Sequence, residues 1–358
     1  MNLPHSRGVI GDALFQCLHH ERDTATLADF VEARLVLVDD VIADDDLQLA
    51  LYVLQELHYS GFDDVDDAFE WDPGLIRARR MIETRFEEEL RRVVPTPALP
   101  TADTGRPGEL PGAEGLADQV ARALFELTAP TPGPSVARFV AKKATEEQLR
   151  ELLMHRSLYQ LKESDPHTWA IPRLSGRAKA ALVEIQTDEY GNGRPERMHS
   201  ALFARTMRGL GLDDSTGHYL DRLPAITIAS LTMMSMFGLQ RRLRGVITGH
   251  LAAFEMTSSI PSRFYGDGFR RLGFGEDVTL YFDEHVEADA VHEQIAGRDL
   301  AGGLAEAEPQ LVTDILFGAA ACLHLDELVG EHLLAAWQSG RSSLRSEERV
   351  PVLAVRDE

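Results

Sequence analysis

Tyr281-Phe282-Asp283-Glu284-His285-Val286-Glu287-Ala288-Asp289-Ala290-Val291-His292 is the stretch on which the reading of this chain turns. At 3.6 residues per turn, His285, Asp289 and His292 project within an arc of about 60° on one helix face. The same face runs through Phe282 and Ala288 to Ile295 and Ala296, so three polar side chains occupy what is otherwise a core stripe. Two imidazoles and a carboxylate suit a divalent iron or a similar first-row ion, and a metal offsets the cost of burying the carboxylate. Taken alone, the triplet leaves a second reading open, an exposed face with Glu284 and Glu287 as its neighbours. An ion inside a bundle also needs ligands from other helices.

Three neighbouring segments offer them. From Arg177 a helical stripe reads Ala178, Ala181, Leu182, Ile185 and then Glu189, a carboxylate where the next apolar residue is due. After the Gly191-Asn192-Gly193-Arg194-Pro195 interruption, a new stripe opens on His199 and continues through Phe203, Thr206 or Met207, and Leu210. Upstream, Thr145 and Gln148 form a capping box for a helix with inward Leu149, Leu152 and Tyr159, and Glu163 follows in that register before Asp165-Pro166 ends it. Glu163 by itself fits a partly exposed helix end. Together, Glu163, Glu189, His199, His285, Asp289 and His292 on core stripes suit two iron ions held between helices. The paired ExxH motifs of ferritin-like bundles are absent.

The remainder of the chain bounds the function. Its 358 residues carry 36 Lys plus Arg against 58 Asp plus Glu, a formal charge of −22 that argues against nucleic-acid binding. With 44% hydrophobic and 26% charged residues it reads as a soluble globular protein with no membrane partner. Cys17 and Cys322 are too few and too far apart for a disulfide framework. No secretory signal and no membrane span is recognisable, so a cytoplasmic location is expected. GxSxG and GxxxxGK[ST] motifs are absent, which weakens hydrolase and kinase readings.

Composition predicts an all-α protein in four parts: an acidic helical region over 1–94, a Pro-rich linker over 95–113, a helical bundle over 114–340 and a charged tail over 341–358. The Asp44-Asp45-Asp46 run reads as negative charge at a helix start. The Asp63, Asp64, Asp66, Asp67 cluster lacks the Gly and Glu of a calcium loop and reads as a solvated turn. His250 and Glu255, five residues apart and about 140° apart around a helix, cannot chelate one ion from one face and are assigned structural roles. Met233, Met234, Met236 and Phe237 read as core, with a tunnel lining as the alternative. His155, His167 and His218 have no evident partners, and Arg194 and Arg205 read as surface ion pairs or as a clamp for a substrate carboxylate.

The stretches LYQLKESDPHTWAIPRL (158–174), ALVEIQTDEYGNG (181–193) with RMH (197–199), GHLAAFEMTSS (249–259) and DEHVEADAVHEQIA (283–296) resemble the haem-oxygenase-like diiron oxidases and oxygenases, the iron-containing redox enzymes, over about 145–335. The resemblance implies a haem-oxygenase-like bundle without haem, with a carboxylate from one core helix, a Glu and a His from the next and the HxxxDxxH triplet from a third. These map onto Glu163, Glu189, His199, His285, Asp289 and His292. It implies two Fe(II) per chain, loosely held, with O2 as co-substrate and Glu189 as the bridging ligand. Products would be N-oxygenated amines or amino acids, or fragments from C–C cleavage of amino or fatty acids. The ten-residue Glu189–His199 spacing looks more like that of N-oxygenating members. A small-molecule substrate is expected, and both an external electron donor and a homodimer are compatible with the sequence. The rivals are an iron-handling ferroxidase without organic substrate and a partner-binding module with a structural metal.

Overall fold

The structure, a computed structural model, describes residues 1–99 and 115–346, apart from the side chains of 289 and 290. Most of the Pro-rich linker and the tail beyond 346 therefore lie outside the described residues. Among the described residues the protein is all-α, with no strand. The helices are α1 (Val9–Leu18), α2 (Leu27–Leu37), α3 (Asp45–Glu56), α4 (Pro73–Val93), α5 (Leu116–Leu127), α6 (Val136–Lys142), α7 (Glu146–Gln160), α8 (Asp165–Thr168), α9 (Gly176–Glu189), α10 (His199–Gly209), α11 (Ala225–Leu239), α12 (Arg244–Arg271), α13 (Glu276–Gln294), α14 (Gly302–Ala307) and α15 (Val312–Gln338).

Local sequence explains where these helices begin. Thr145 and Gln148 make the expected reciprocal capping box at α7. Asp44 caps α3 by accepting from the Leu47 amide, and Asp72 caps α4 ahead of Pro73. Asp46 does more than complement a dipole. Its carboxylate accepts from the Ile10 and Gly11 amides at 2.8 Å each and so satisfies the otherwise unpaired start of α1.

The N-terminal helices pack on the bundle. Leu14, Leu51 and Phe86 share one apolar cluster with Leu231, Phe237 and Ile315. Between α3 and α11, Thr232 donates to Gln48 at 2.6 Å and Gln55 donates to the Thr232 carbonyl at 3.1 Å. The methionines of α11 and Phe237 are buried core residues. Gly249 of α12 and Gly318 of α15 let these two helices touch backbone to backbone. A Cβ at Gly249 would fall 1.8 Å from the Ile315 carbonyl oxygen, and one at Gly318 would fall 1.9 Å from that of Val246.

The apolar interior has two parts. The larger includes Leu158 of α7, Ile185 of α9, Leu251 of α12, Leu325 of α15 and Leu300, which lies between α13 and α14. The smaller includes Leu152 and Leu153 of α7, Phe203 of α10, Phe269 of α12, Phe282 of α13 and Leu333 of α15. Helices α7, α12 and α15 run through both, so each crosses a seam at which its inward face stops being apolar. Among the described residues, no helix is long and apolar enough to cross a membrane.

Two predictions concern stability. Gly318→Ala forces the α12–α15 crossing apart and is expected to cost about 1–3 kcal/mol in denaturant unfolding. The buried histidines set the acid limb of the stability curve. Burial pulls the imidazoles of His155 and His250 down to about 3 and that of His58 to about 4, from 6.5. All three are depressed in the fold, so their contribution is fully present above pH 6.5. It is lost as pH falls from 6.5 toward 3, at up to about 1.4 kcal/mol per pH unit per histidine. His155, which faces Thr227 Oγ1 at 2.8 Å and Ser343 Oγ at 3.1 Å, is the test. His155→Gln should reduce proton uptake on unfolding at pH 5 by nearly one, and an unchanged pH slope would contradict this account.

Candidate metal centre

The seam is where five of the six sequence-predicted residues, Glu163, Glu189, His199, His285 and His292, come together. Glu163 lies in the turn after α7, one residue before Ser164, whose φ of 74° reverses the chain into α8. Around that turn the Tyr159 hydroxyl accepts from the Ser164 amide at 3.3 Å, and Tyr190 donates to Asp165 at 2.8 Å. Lys162 forms a buried ion pair with Glu56 of α3, its ammonium 4.4 Å from the centre of the Tyr59 ring. Both flanks of Glu163 are thus tied down, one of them by the N-terminal region. Tyr281 donates to both Glu163 oxygens, at 2.9 and 3.1 Å. Burial, and then Glu163 itself, hold the Tyr281 phenol well above its ordinary range, so it stays protonated as a donor.

Glu189 ends α9 and His199 begins α10. The connection must double back, and Gly191 permits it: its φ is +64°, and a Cβ there would lie 2.6 Å from the Arg197 carbonyl carbon and the Met198 nitrogen. The ten-residue spacing therefore brings His199 Nδ1 to 3.0 Å from Glu189 Oε2. Helix α13 supplies the two histidines. His285 Nδ1 lies 2.7 Å from the Tyr281 carbonyl oxygen and donates to it, which leaves Nε2 as the lone-pair nitrogen, 3.6 Å from Glu163 Oε1. His292 is held the other way round. Its Nε2 faces Asp188 Oδ2 at 3.0 Å and its Nδ1 faces Glu255 Oε2 of α12 at 3.3 Å. Burial acts to raise Asp188, but the hydrogen bonds from His292 and Asn192, together with the His292 charge, outweigh it and keep that carboxyl below its ordinary value.

Two buried groups result, Glu163 with His199 and His285, and Glu189 with Glu255 and His292, each with ligand atoms within 4.8 Å of one another. The centroids of the His199 and His285 rings are 4.4 Å apart. Asp289 has its backbone in α13 between the two histidines, and its side chain lies outside the described residues.

The structural assignment of Glu255 is corrected here. Its separation from His250 on the same helix is irrelevant, because its partners come from α9 and α13. It occupies the inward stripe four residues after buried Leu251 and eight after buried Ile247, the same signal that marked Glu189. His250 instead packs against His167, Nδ1 to Nε2 at 3.2 Å. His155 pairs with Thr227 and Ser343, Arg205 pairs with Asp277 at the surface, and Arg194 is exposed.

The donor set fits a pair of first-row ions. Buried Glu189 Oε2 and His199 Nδ1 lie close together yet make no hydrogen bond, an arrangement that is costly without a cation between them. Burial pushes Glu189 up, but His199, His285 and His292 outweigh it and hold the carboxyl low. Burial likewise pulls His199 down, and Glu189 outweighs it and raises the imidazole. Where a lone-pair nitrogen faces a carboxylate oxygen, as at His285 and Glu163, a divalent ion removes the repulsion. Mixed nitrogen and oxygen donors of this kind suit iron.

The profile of the iron-containing redox enzyme family matches residues 150–327. Within curated proteins, the nitrosourea synthase of Streptomyces achromogenes subsp. streptozoticus is 28% identical over 163 residues, covering 43% of this chain and 34% of that protein. The chain thus spans about a third of the length of that relative.

Asp188 fixes the His292 tautomer, and Asn192 in turn donates to Asp188 at 2.9 Å. Asp188→Ala is expected to weaken Co(II) or Fe(II) binding by about 10- to 100-fold with little change in thermal stability of the metal-free protein. Unaltered affinity in a metal titration would show that Asp188 does not orient this ligand.

Proposed function

We propose, from the premise that through residues 150–327 the chain belongs to the iron-containing redox enzyme family, that it is an O2-dependent diiron oxidase or oxygenase acting on a small organic molecule. Glu163, His199 and His285 would hold one ferrous ion, and Glu189, Glu255 and His292 the other, with Asp289 on the same face of α13 as a further ligand. Glu189 is suited to bridge, because it lies beside His199 of the first group while belonging to the second. A ferrous pair supplies two electrons to O2. The chain's own residues keep the site in register: Tyr281 orients Glu163, the Tyr281 carbonyl orients His285, and Asp188 orients His292.

The observation that carries this reading is the pairing of two adjacent, buried three-residue groups within one seam. Among organic reactions, oxygenation at nitrogen of an amine or amino acid is favoured over C–C cleavage, because the relative's name denotes a product with an N-nitroso group. The iron-handling rival calls for a closed site. Tyr159 instead stays partly accessible beside the cluster, and the Glu163, Glu189 and Glu255 carboxylates all bear on its phenol.

The test is anaerobic Fe(II) titration followed by mixing with O2. The expected result is about two irons per chain, a transient visible absorption, and faster decay of that transient with substrate. His199→Ala and Glu255→Gln should each leave one iron or none. A single ion that does not react with O2 would instead establish a structural metal.

A further inference from the structure

Beyond α15 the chain folds back over the bundle as a strap whose course is fixed by hydrogen bonds. Ser343 is buried, and its amide and hydroxyl both donate to Glu151 of α7, at 2.9 and 2.6 Å. His332 Nε2 donates to the Ser343 carbonyl at 2.7 Å. Two residues on, the Arg345 amide donates to the Arg222 carbonyl at 2.8 Å, and the Arg345 guanidinium pairs with Asp45 at the start of α3, at 3.2 Å. The strap therefore carries the chain from the end of α15 to the N-terminal region. Beside Asp45, Asp44 pairs with Arg34 of α2, one residue before Leu35. Two ion pairs on adjacent residues of the α3 start thus join the end of the strap to the last turn of α2.

Leu35 lines a surface groove of about 360 Å³ between α2 and α4, together with Met81, Arg77, Arg80, Arg85 and Glu88. Val36 and Leu37, 81% and 73% exposed, extend its apolar surface at the end of α2. On α4, Arg79 and Arg85 are paired with Glu83 and Glu89, at 3.6 and 3.0 Å. Arg77 and Arg80 are exposed, and neither makes an ion pair among the described residues. In a chain of net charge −22, three arginines and one glutamate line this groove. Exposed apolar residues beside unpaired cations mark a docking surface for a segment that is both apolar and acidic. The volume lies at the small end of the roughly 300–1,000 Å³ range of binding pockets, so it suits a few side chains of an extended segment rather than a folded domain. A second copy of the chain is a poor occupant, because a two-fold contact sets a patch against itself and brings arginine to arginine.

The chain itself holds a matching segment within reach. Residues 347–358 read Glu347-Glu348-Arg349-Val350-Pro351-Val352-Leu353-Ala354-Val355-Arg356-Asp357-Glu358, an uncharged apolar run flanked by four carboxylates and two arginines. An extended chain spans at most about 3.3–3.6 Å per residue, so the run can begin about 14 Å past Ser346 and end about 30 Å past it. The stretch of α4 from Arg77 to Glu88 is only about 17 Å long. We propose that the Val350–Val355 run docks in the α2–α4 groove, its apolar side chains against Leu35, Leu37 and Met81 and its flanking carboxylates toward Arg77 and Arg80. Tethering holds the segment at an effective concentration of order millimolar, so a contact this small can be occupied. The strap and the docked run together clasp the N-terminal helices to the bundle, and this holds whatever the metal centre does.

The test is hydrogen–deuterium exchange on the full chain, as wild type and as two double variants. Arg77→Glu with Arg80→Glu reverses the charge of the groove at exposed positions. Val352→Asp with Leu353→Asp places a charge on each face of an extended segment. In the wild type the amides of residues 352–355 should exchange at least tenfold more slowly than unprotected amides, and equally so at low and high protein concentration. Either double variant should return these amides to the unprotected rate while exchange within α12 and α15 stays as in the wild type. If the double reversal disturbs the fold, Arg80→Gln alone is used, and it should raise the exchange rate of the same amides by a smaller factor. Unprotected amides over 352–355 in the wild type, or protection that survives in a folded variant of either kind, overturns the proposal. Protection that grows with protein concentration overturns it too, because the groove is then filled from a second copy.

Discussion

Carboxylates and imidazoles buried between two apolar cores are the constraint around which this protein is built. Six side chains from the α7–α8 turn, α9, α10, α12 and α13 point lone pairs and negative charge at one another in a space from which bulk water is largely removed. Such an arrangement is unfavourable unless cations enter it. The surroundings are arranged to hold these groups in place. The Tyr281 hydroxyl, the Tyr281 carbonyl and Asp188 each fix one ligand, and the Lys162–Glu56 pair fastens the Glu163 turn to the N-terminal region. The acidic first part of the chain is therefore part of the scaffold of the site.

The seam also accounts for how one interior can serve both stability and chemistry. Helices α12 and α15 are pinned by the backbone contact at Gly249 and Gly318, well inside the larger cluster. Farther along α12 the inward position becomes Glu255. A close backbone crossing on one side and polar residues on the other place the candidate ligands on elements that are already packed in position.

Much of this was legible in one dimension, for physical reasons that differ by residue. Glu163, Glu189 and His199 stand out because a polar residue interrupts an apolar helical period, and His285 and His292 because they share one helix face. Glu255 carries the same interruption after Ile247 and Leu251, but its partners Glu189 and His292 lie on other helices, so its spacing from His250 on its own helix carries no information about them. Asp188 could not be read as a partner of His292, since their contact depends on how α9 lies against α13. The path from Glu189 to His199 is likewise a matter of backbone: the Gly191-Asn192-Gly193 run signals a turn, but only the positive φ at Gly191 and its contact with Arg197 and Met198 define how tightly the chain returns.

The central claim is tested most directly by anomalous diffraction at the iron edge from crystals loaded with Fe(II) without oxygen. The account predicts two peaks in each chain, one among Glu163, His199 and His285 and the other among Glu189, Glu255 and His292. No peak at the seam, or a lone peak elsewhere in the bundle, would contradict it.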